Sequence, residues 1–210
     1  MLNHQTEPVH DAAGREHVIR ALSRKVEEFM ESCEADGALA LYGRCDAETL
    51  VPYQPFVEAL RGYLSRAPEQ ASAWSTQYGA ELSRVVPEVA AEGETPGGPE
   101  EEERYRLFDA VSEVLNDIAR RQPVVLVLDD LHWADKPTLL MLRQLVRAAG
   151  ESPLLIVATI RDTERPTALV DMLVQLRREH YFERIELKGL DEADDSELIG
   201  GFSLQGVHEH

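Results

Sequence analysis

The stretch VVLVLDDLHWAD, residues 124–135, decides the fold class of this chain. Five consecutive apolar residues, 124–128, are followed by two adjacent acids, Asp129 and Asp130. A continuous apolar run, rather than an alternating one, is typical of a strand in a parallel sheet that helices cover on both faces. Ligands of such sheets collect beyond the carboxyl ends of the strands. The stretch therefore predicts an α/β fold with a ligand site beside these two acids.

Strands and helices alternate along the rest of the chain, which predicts right-handed βαβ units and a parallel sheet. The expected architecture is a three-layer parallel sheet flanked by helices. Strands are predicted at 37–45, 124–128, 154–160 and 184–187, and helices at 14–35, 56–64, 71–86, 103–121, 136–149, 167–178 and from 191 onward.

The predicted domain organisation is a single core at residues 14–190. Residues 1–13 are expected to form a disordered tail, and residues 191–210 to begin a helical lid that is cut short. Within the core, residues 91–103 combine glycine, proline and glutamate without a large apolar side chain, which predicts a mobile surface loop.

The charge of the chain argues against several functions. It has 39 acidic and 21 basic residues, a formal net charge of −18, which would repel a phosphate backbone. We therefore expect no direct contact with nucleic acid. No apolar run is long enough for a signal peptide or a membrane span, so we expect a cytoplasmic protein without a membrane partner. Cys33 and Cys45 have no motif around them and are expected to be reduced, partly buried thiols.

The two acids at the strand end have the chemistry of a metal and hydrolysis site. Asp129 can hold Mg²⁺ through water, and Asp130 is placed to polarise a water that attacks a γ-phosphate. The alternative interpretation is a turn followed by a helix cap. Arg161, at the end of the next predicted strand, could reach the same phosphate or could form an ion pair with Asp162 or Asp129.

The residues after the acid pair have simpler interpretations. Asp135 precedes Lys136 and Pro137, and this pattern predicts that Asp135 caps the following helix. From chemistry alone, Trp133 is expected to be a packing residue and His132 a polar contact near the site.

The segment VVLVLDDLHWADKPTLLMLRQL followed by LLIVATIRD resembles the Walker B segment and sensor strand of STAND-class P-loop ATPases, the switch modules of large bacterial LuxR-type and adenylate-cyclase-linked regulators. Upstream, GREHVIRAL and LYGRCDAETLVPYQPFVEALRGYL are similar to the entry helix, second strand and following helix of that family. Downstream, IELKGLDEADDSELI is similar to the fifth strand and the beginning of the lid. The resemblance covers most of residues 14–199.

This resemblance implies ATP and Mg²⁺ as cofactors and assigns roles to single residues. It implies that Asp129 coordinates Mg²⁺, that Asp130 positions the hydrolytic water, and that Arg161 reads the γ-phosphate. His132 matches the first residue of the family's His-Trp pair and is assigned to the cofactor site. Ser23 falls where the family has the Mg²⁺-binding hydroxyl of its phosphate-binding loop.

That phosphate-binding loop, Walker A, is the part of the pattern that this sequence lacks. Walker A uses backbone amides and a lysine to cradle phosphates, and no Gly-Lys dipeptide occurs anywhere in the chain. The resemblance implies that a strand with its loop, roughly two dozen residues, is absent just before Ser23. The phosphates of ATP would then face the acid pair with only Mg²⁺, Arg161 and Lys25 as compensation.

The sequence therefore predicts a degenerate, regulatory ATP-binding domain that binds ATP or ADP weakly and hydrolyses ATP poorly or not at all. By resemblance the missing strand lies between strands 154–160 and 184–187, which must pair directly or leave two sheet edges open. Open edges favour the alternative of a protein-interaction module that self-associates or docks on a full-length relative. A third possibility is an active ATPase completed by a partner's loop or by Ser23 and Lys25.

Overall fold

The computed structural model describes residues 12–48, 51–90, 99–150, 152–161, 166–179 and 182–185, with side chains from residue 24 onward. The predicted tail at 1–11, the predicted lid at 191–210 and residues 91–98 lie outside these ranges. The chain divides into two compact units, Met1–Ser32 with Arg184–His210, and Cys33–Glu183. Most of the first helix belongs to the former unit. The sheet and the candidate site belong to the latter.

The elements of the described chain follow one another in an α/β order. They are α1 (Ala12–Ala35), β1 (Leu39–Arg44), α2 (Gln54–Arg66), α3 (Gln70–Leu82), a 3-10 turn (Pro87–Val89), α4 (Glu100–Arg121), β2 (Val124–Asp129), a 3-10 turn (Leu131–Trp133), α5 (Lys136–Ala149), β3 (Leu154–Ala158) and α6 (Thr167–Arg178). The predicted bounds of α5 and α6 are confirmed at both ends.

The sheet is parallel and has the order β1-β2-β3, so β2 is its central strand. Leu39 of β1 is level with Val124 of β2, which is level with Leu154 of β3. All six residues of β2 are buried, as the continuous apolar run predicts. The α/β class and the parallel sheet flanked by helices are confirmed.

The core forms where one face of this sheet packs against helices. Alternate residues of the strands point to that face, and large side chains of α2, α4, α5 and α6 meet them. Deeply buried members of this cluster include Leu41, Phe56, Leu60, Val111, Leu115, Leu126, Leu128, Met141, Leu145 and Leu169. The helices therefore fix the strands in register, and with them the residues at the strand ends.

The start of α4 and the end of α3 differ from the prediction. Glu100–Arg121 begins three residues early, so residues 100–103 are not part of a mobile loop. Four glutamates in the first turn favour a helix there, because negative side chains stabilise the positive end of the helix dipole. The preceding helix stops at Leu82 rather than residue 86, since the residue before Pro87 is disfavoured in helical geometry.

Further differences concern the tail and two strands, while β1 is shorter than predicted and α2 is longer. The first helix begins at Ala12, so residues 12 and 13 are helical and not part of a tail. The third strand ends at Ala158 rather than at residue 160, and its last bond to β2 runs from the backbone amide of Thr159 to the carbonyl of Leu128, at 3.1 Å. The predicted strand at 184–187 is wrong for its first two residues, which are irregular, and its other two lie outside the described chain. Such a short alternation is a weak strand signal.

Candidate functional site

The candidate site lies at the carboxyl end of β2, where the backbone turns sharply. Asp129 is the last residue of the strand rather than the first beyond it. Asp130 adopts a left-handed conformation, with φ 54° and ψ 41°, which aspartate tolerates better than most residues. The 3-10 turn follows at once, and Asp135 then accepts a hydrogen bond from the backbone amide of Thr138 at 2.8 Å. The predicted helix cap is confirmed.

Asp129 is held by hydroxyl groups from the two outer strands of the sheet. The phenol of Tyr42 on β1 donates to Oδ2 at 2.9 Å, and the hydroxyl of Thr159, just after β3, donates to Oδ1. The residue is 6% exposed. Both donors are neutral, so they satisfy the oxygens without cancelling the negative charge.

Asp130 is held by arginines instead. Arg44, the last residue of β1, donates from Nε and Nη2 to Oδ2 at 3.0 and 2.7 Å. Arg161 donates from Nη2 to Oδ1 at 3.4 Å. The Nε2 atom of His132 lies 3.9 Å from the same Oδ1. Both oxygens of this carboxylate are therefore engaged by cationic side chains of the same chain.

Thr159 joins the two acids. Its hydroxyl donates to Asp129 and accepts a hydrogen bond from the backbone amide of Asp130 at 2.9 Å. One side chain thus fixes both the orientation of the first carboxylate and the backbone turn that carries the second. Sequence reasoning missed this residue, although its place two residues before Arg161 at a strand end could have indicated it.

The pKa shifts around the site keep its donors in their ordinary protonation states. Burial, followed by the hydrogen bond to Asp129, raises the pKa of Tyr42. The hydrogen bond to Asp130 raises the pKa of Arg44. Burial, followed by the negative charges of Asp135 and Asp130, raises the pKa of Cys45 to about 12. At neutral pH Tyr42 therefore donates, Arg44 is charged and Cys45 is a thiol.

Of the residues predicted for the site, four are brought together: Asp129, Asp130, His132 and Arg161. The side chain of His132 is buried beside Asp130, as its predicted polar contact requires. The ion pair of Arg161 is with Asp130, not with Asp129, while Asp162 lies outside the described chain.

Three further predictions concern residues that do not belong to this group of four side chains. Ser23 belongs to α1 and its side chain lies outside the description, so its role stays a prediction. Trp133 contacts the ring of His132, with centroids 5.0 Å apart, but it is 43% exposed, because the short 3-10 turn buries Leu131 and His132 and directs the third residue outward. Cys33 and Cys45 are buried free thiols.

A pocket of about 440 Å³ lies beside the acid pair. It is lined by Tyr42, Arg44, Cys45, Asp46, Ala47, Gln54, Glu58, Asp130 and Trp133. Its volume falls in the range of small-ligand sites.

Among the described residues no group of three or more histidine, cysteine, aspartate or glutamate side chains could hold a metal ion. No helix there is long and apolar enough to cross a membrane.

A parallel sheet with paired carboxylates at the end of its central strand is the arrangement of a P-loop NTPase-like domain. The family model for the AAA ATPase domain matches residues 14–157, and the chain belongs to this family. No curated protein and no solved structure matches the chain. Family membership implies a nucleotide-binding, ATPase-like domain with Mg²⁺ and nucleotide as its cofactors.

Proposed function

We propose that this chain is a degenerate AAA-type regulatory domain of the STAND class, which binds nucleotide weakly and hydrolyses it poorly or not at all. The observation that carries the proposal is the pairing of Asp130 with Arg44 and Arg161. A carboxylate that polarises a water molecule needs an oxygen that can accept a hydrogen bond from that water, and a negative charge that no cation offsets. Cationic partners on both oxygens oppose this role, because they offset its charge and occupy its acceptor sites.

The residues fit the implied cofactors only in part. Asp129 supplies the hard oxygen that Mg²⁺ prefers, with the hydroxyl of Thr159 beside it, and these two residues would hold the ion. Bound Mg²⁺ would supply positive charge beside the phosphates of a nucleotide. The phosphates themselves need amides and a lysine, yet no Gly-Lys dipeptide occurs in the sequence. The metal side of a nucleotide site fits this chain, and the phosphate side does not.

The assignment of the regulatory role rests on the resemblance to LuxR-type and adenylate-cyclase-linked regulators. In such a role the domain would act in the cytoplasm through a protein partner and affect transcription without touching DNA itself. The net charge of −18 supports the last point.

Titration calorimetry with Mg-ATP and a phosphate-release assay test the loss of function. We expect millimolar or undetectable binding and phosphate release no faster than that of Asp130→Ala. The decisive variant is Arg44→Met. It frees one oxygen of Asp130 but does not supply a phosphate-binding loop. We expect it to remain inactive, because the acid has nothing to act on without bound phosphates.

Two results would overturn the proposal. Micromolar binding of Mg-ATP that Asp129→Ala abolishes would show that the chain binds nucleotide tightly without a Walker A loop. Phosphate release that appears in Arg44→Met and disappears again in Arg44→Met combined with Asp130→Ala would show an intact but restrained ATPase. A matched control is Arg61→Met, which removes an arginine of α2 that is paired with Glu88 and does not contact the acid pair.

The third strand favours a second candidate function, a protein-interaction module. No residue of β3 is fully buried, and Leu155 is 49% exposed. Among the described residues, β3 pairs with β2 alone. An exposed apolar edge strand is a template for pairing with another chain. Sedimentation at several concentrations tests this candidate, which a strictly monomeric particle would contradict.

A further inference from the structure

The pocket beside the acid pair carries charge that the chain does not neutralise. Oε2 of Glu58 accepts a hydrogen bond from the backbone amide of Arg44 at 2.8 Å, and Oε1 accepts one from the side chain of Gln54 at 3.0 Å. Asp46 accepts one from the backbone amide of Glu48 at 3.0 Å. All these donors are neutral. Within the part of the chain that the structure describes, neither carboxylate has an ion-pair partner.

The net charge of the lining is therefore negative. It holds three carboxylates, those of Asp46, Glu58 and Asp130, and one guanidinium, that of Arg44. Because Arg44 is already paired with Asp130, the other two carboxylates face the pocket with their charge uncompensated. A phosphate group would be repelled here, and a cation would be attracted.

Trp133 adds an aromatic surface to the same pocket. Its side chain is 43% exposed although it is one of the largest apolar groups of the chain. The other tryptophan, Trp74, is 6% exposed and stacks on Tyr63 with ring centroids 5.5 Å apart. An indole beside carboxylates is the combination that recognises organic cations, because the ring face attracts positive charge.

We propose that this pocket binds the guanidinium group of an arginine on a basic segment of a partner protein. A guanidinium is planar and stacks on an indole, and its several N–H donors suit two separate carboxylates. Its modest hydration makes it easier to bury than an ammonium group. The surplus of acidic residues over the whole chain attracts a basic segment at long range. This binding uses Asp46, Glu58 and Trp133, none of which the proposed nucleotide site requires.

Tryptophan fluorescence and calorimetry with short capped peptides test the proposal on the full chain. The probes are Gly-Arg-Gly, Gly-Lys-Gly and Gly-Glu-Gly. We expect saturable binding of the arginine peptide, weaker binding of the lysine peptide and none of the glutamate peptide. The signal arises from Trp133, because Trp74 is buried and gives a constant background.

Two variants and one matched control distinguish binding in the pocket from general attraction of the peptide to the acidic surface. Glu58→Gln keeps an acceptor for the amide of Arg44 but removes the charge, and we expect it to weaken binding about five-fold. Trp133→Leu should weaken binding about three-fold and abolish the fluorescence change. The control Glu69→Gln makes the same charge change on an exposed residue outside the pocket and should leave binding unchanged. Circular dichroism verifies that each variant is folded.

Three results would overturn the proposal. Equal weakening by Glu58→Gln and Glu69→Gln would show attraction to the acidic surface as a whole. Arginine and lysine peptides of equal affinity would contradict recognition of a guanidinium. Spermidine that binds more tightly than the arginine peptide, with the same dependence on Trp133 and Glu58, would assign the pocket to a small free cation instead of a protein partner.

Discussion

Asp129 and Asp130 are neighbours in the chain and have the same side chain, yet their surroundings are opposite. The former accepts hydrogen bonds from two neutral hydroxyls, those of Tyr42 and Thr159. The latter accepts from two guanidinium groups, those of Arg44 and Arg161. The difference shows that the strands on either side of β2, rather than the acidic pair itself, decide what each carboxylate can do.

The energetic consequence differs for the two acids. Burial of a carboxylate costs free energy when its hydrogen-bond donors are neutral, because they do not offset its charge. A carboxylate between two arginines has its charge matched and contributes to stability. Asp129 therefore has the features of a group retained for binding, whereas Asp130 has those of a structural ion pair. Three predictions test this contrast.

The largest effect is expected where one backbone position supports the partners of both acids. Gly43 lies between Tyr42 and Arg44 on β1, and a Cβ atom there would be 1.8 Å from the carbonyl oxygen of Pro55. Gly43→Ala must push β1 away from α2 and shift both partners together. We expect a loss of about 3 kcal/mol in the free energy of unfolding, the upper part of the range for overpacked sites. Urea unfolding measures it.

Gly62→Ala is the matched control for this substitution. Gly62 lies inside α2, and a Cβ atom there would meet nothing within 4 Å. Alanine is the better helix former, so we expect this variant to gain about 0.7 kcal/mol. Comparable stability of the two variants would mean that the approach of β1 to α2 does not fix the site.

The second prediction sets the two acids directly against each other through isosteric substitutions. Asp129→Asn removes a buried charge that accepts hydrogen bonds from the neutral hydroxyls of Tyr42 and Thr159, and the hydroxyl of Tyr42 can accept from the new amide. We expect the free energy of unfolding to rise by about 1 kcal/mol. Asp130→Asn leaves Arg44 and Arg161 without their counter-charge, and we expect a fall of about 1 kcal/mol.

Backbone strain does not contribute to the difference between these two variants, because asparagine tolerates the left-handed conformation of residue 130 as aspartate does. Urea unfolding at neutral pH, repeated at high salt, gives both values. Opposite signs support the contrast between the acids, and losses of equal size in both variants would refute it. Salt should reduce the loss in Asp130→Asn, since its partner Arg44 has a side chain that is 52% exposed.

The parts of the structure that the sequence predicted are those with a local cause. The buried run of β2 follows from its continuous apolar residues. The start of α5 follows from Asp135 and Pro137, which cap and begin a helix within four residues. The placement of Arg161 near Asp129 follows from the parallel order of the sheet, although Arg161 lies beyond the end of β3 at Ala158.

The partners of the acids could not be predicted, because their cause is not local. Arg44 and Asp130 are 86 positions apart, and their contact depends on the register that sets Arg44 level with Asp129. That register is fixed by the packing of α2 and α4 against the sheet, which no short pattern encodes. The exposure of Trp133 was missed for a related reason: a turn of three residues has no periodicity that tells inside from outside.

The third prediction concerns Tyr42→Phe, which removes one hydrogen bond to Asp129 and leaves Asp130 untouched. At neutral pH we expect a loss of about 1 kcal/mol, because a buried oxygen loses its donor. Burial and the hydrogen bond to Asp129 raise the pKa of Tyr42, with Asp130 adding to the shift and Arg44 opposing it. The folded protein therefore keeps a proton that the unfolded chain releases above a pH of about 10.

Tyr42 thus stabilises the fold fully below that pH, and its contribution declines as the pH rises further. Phenylalanine does not titrate. The difference in the free energy of unfolding between wild type and Tyr42→Phe should therefore be smaller at a pH of about 11 than at a pH of about 8. Tyr105→Phe, at a ring that is 57% exposed, is the control and should keep a constant difference. A constant difference for Tyr42→Phe as well would mean that the phenol does not hold Asp129, and one of the two neutral donors on which the contrast between the acids rests would be lost.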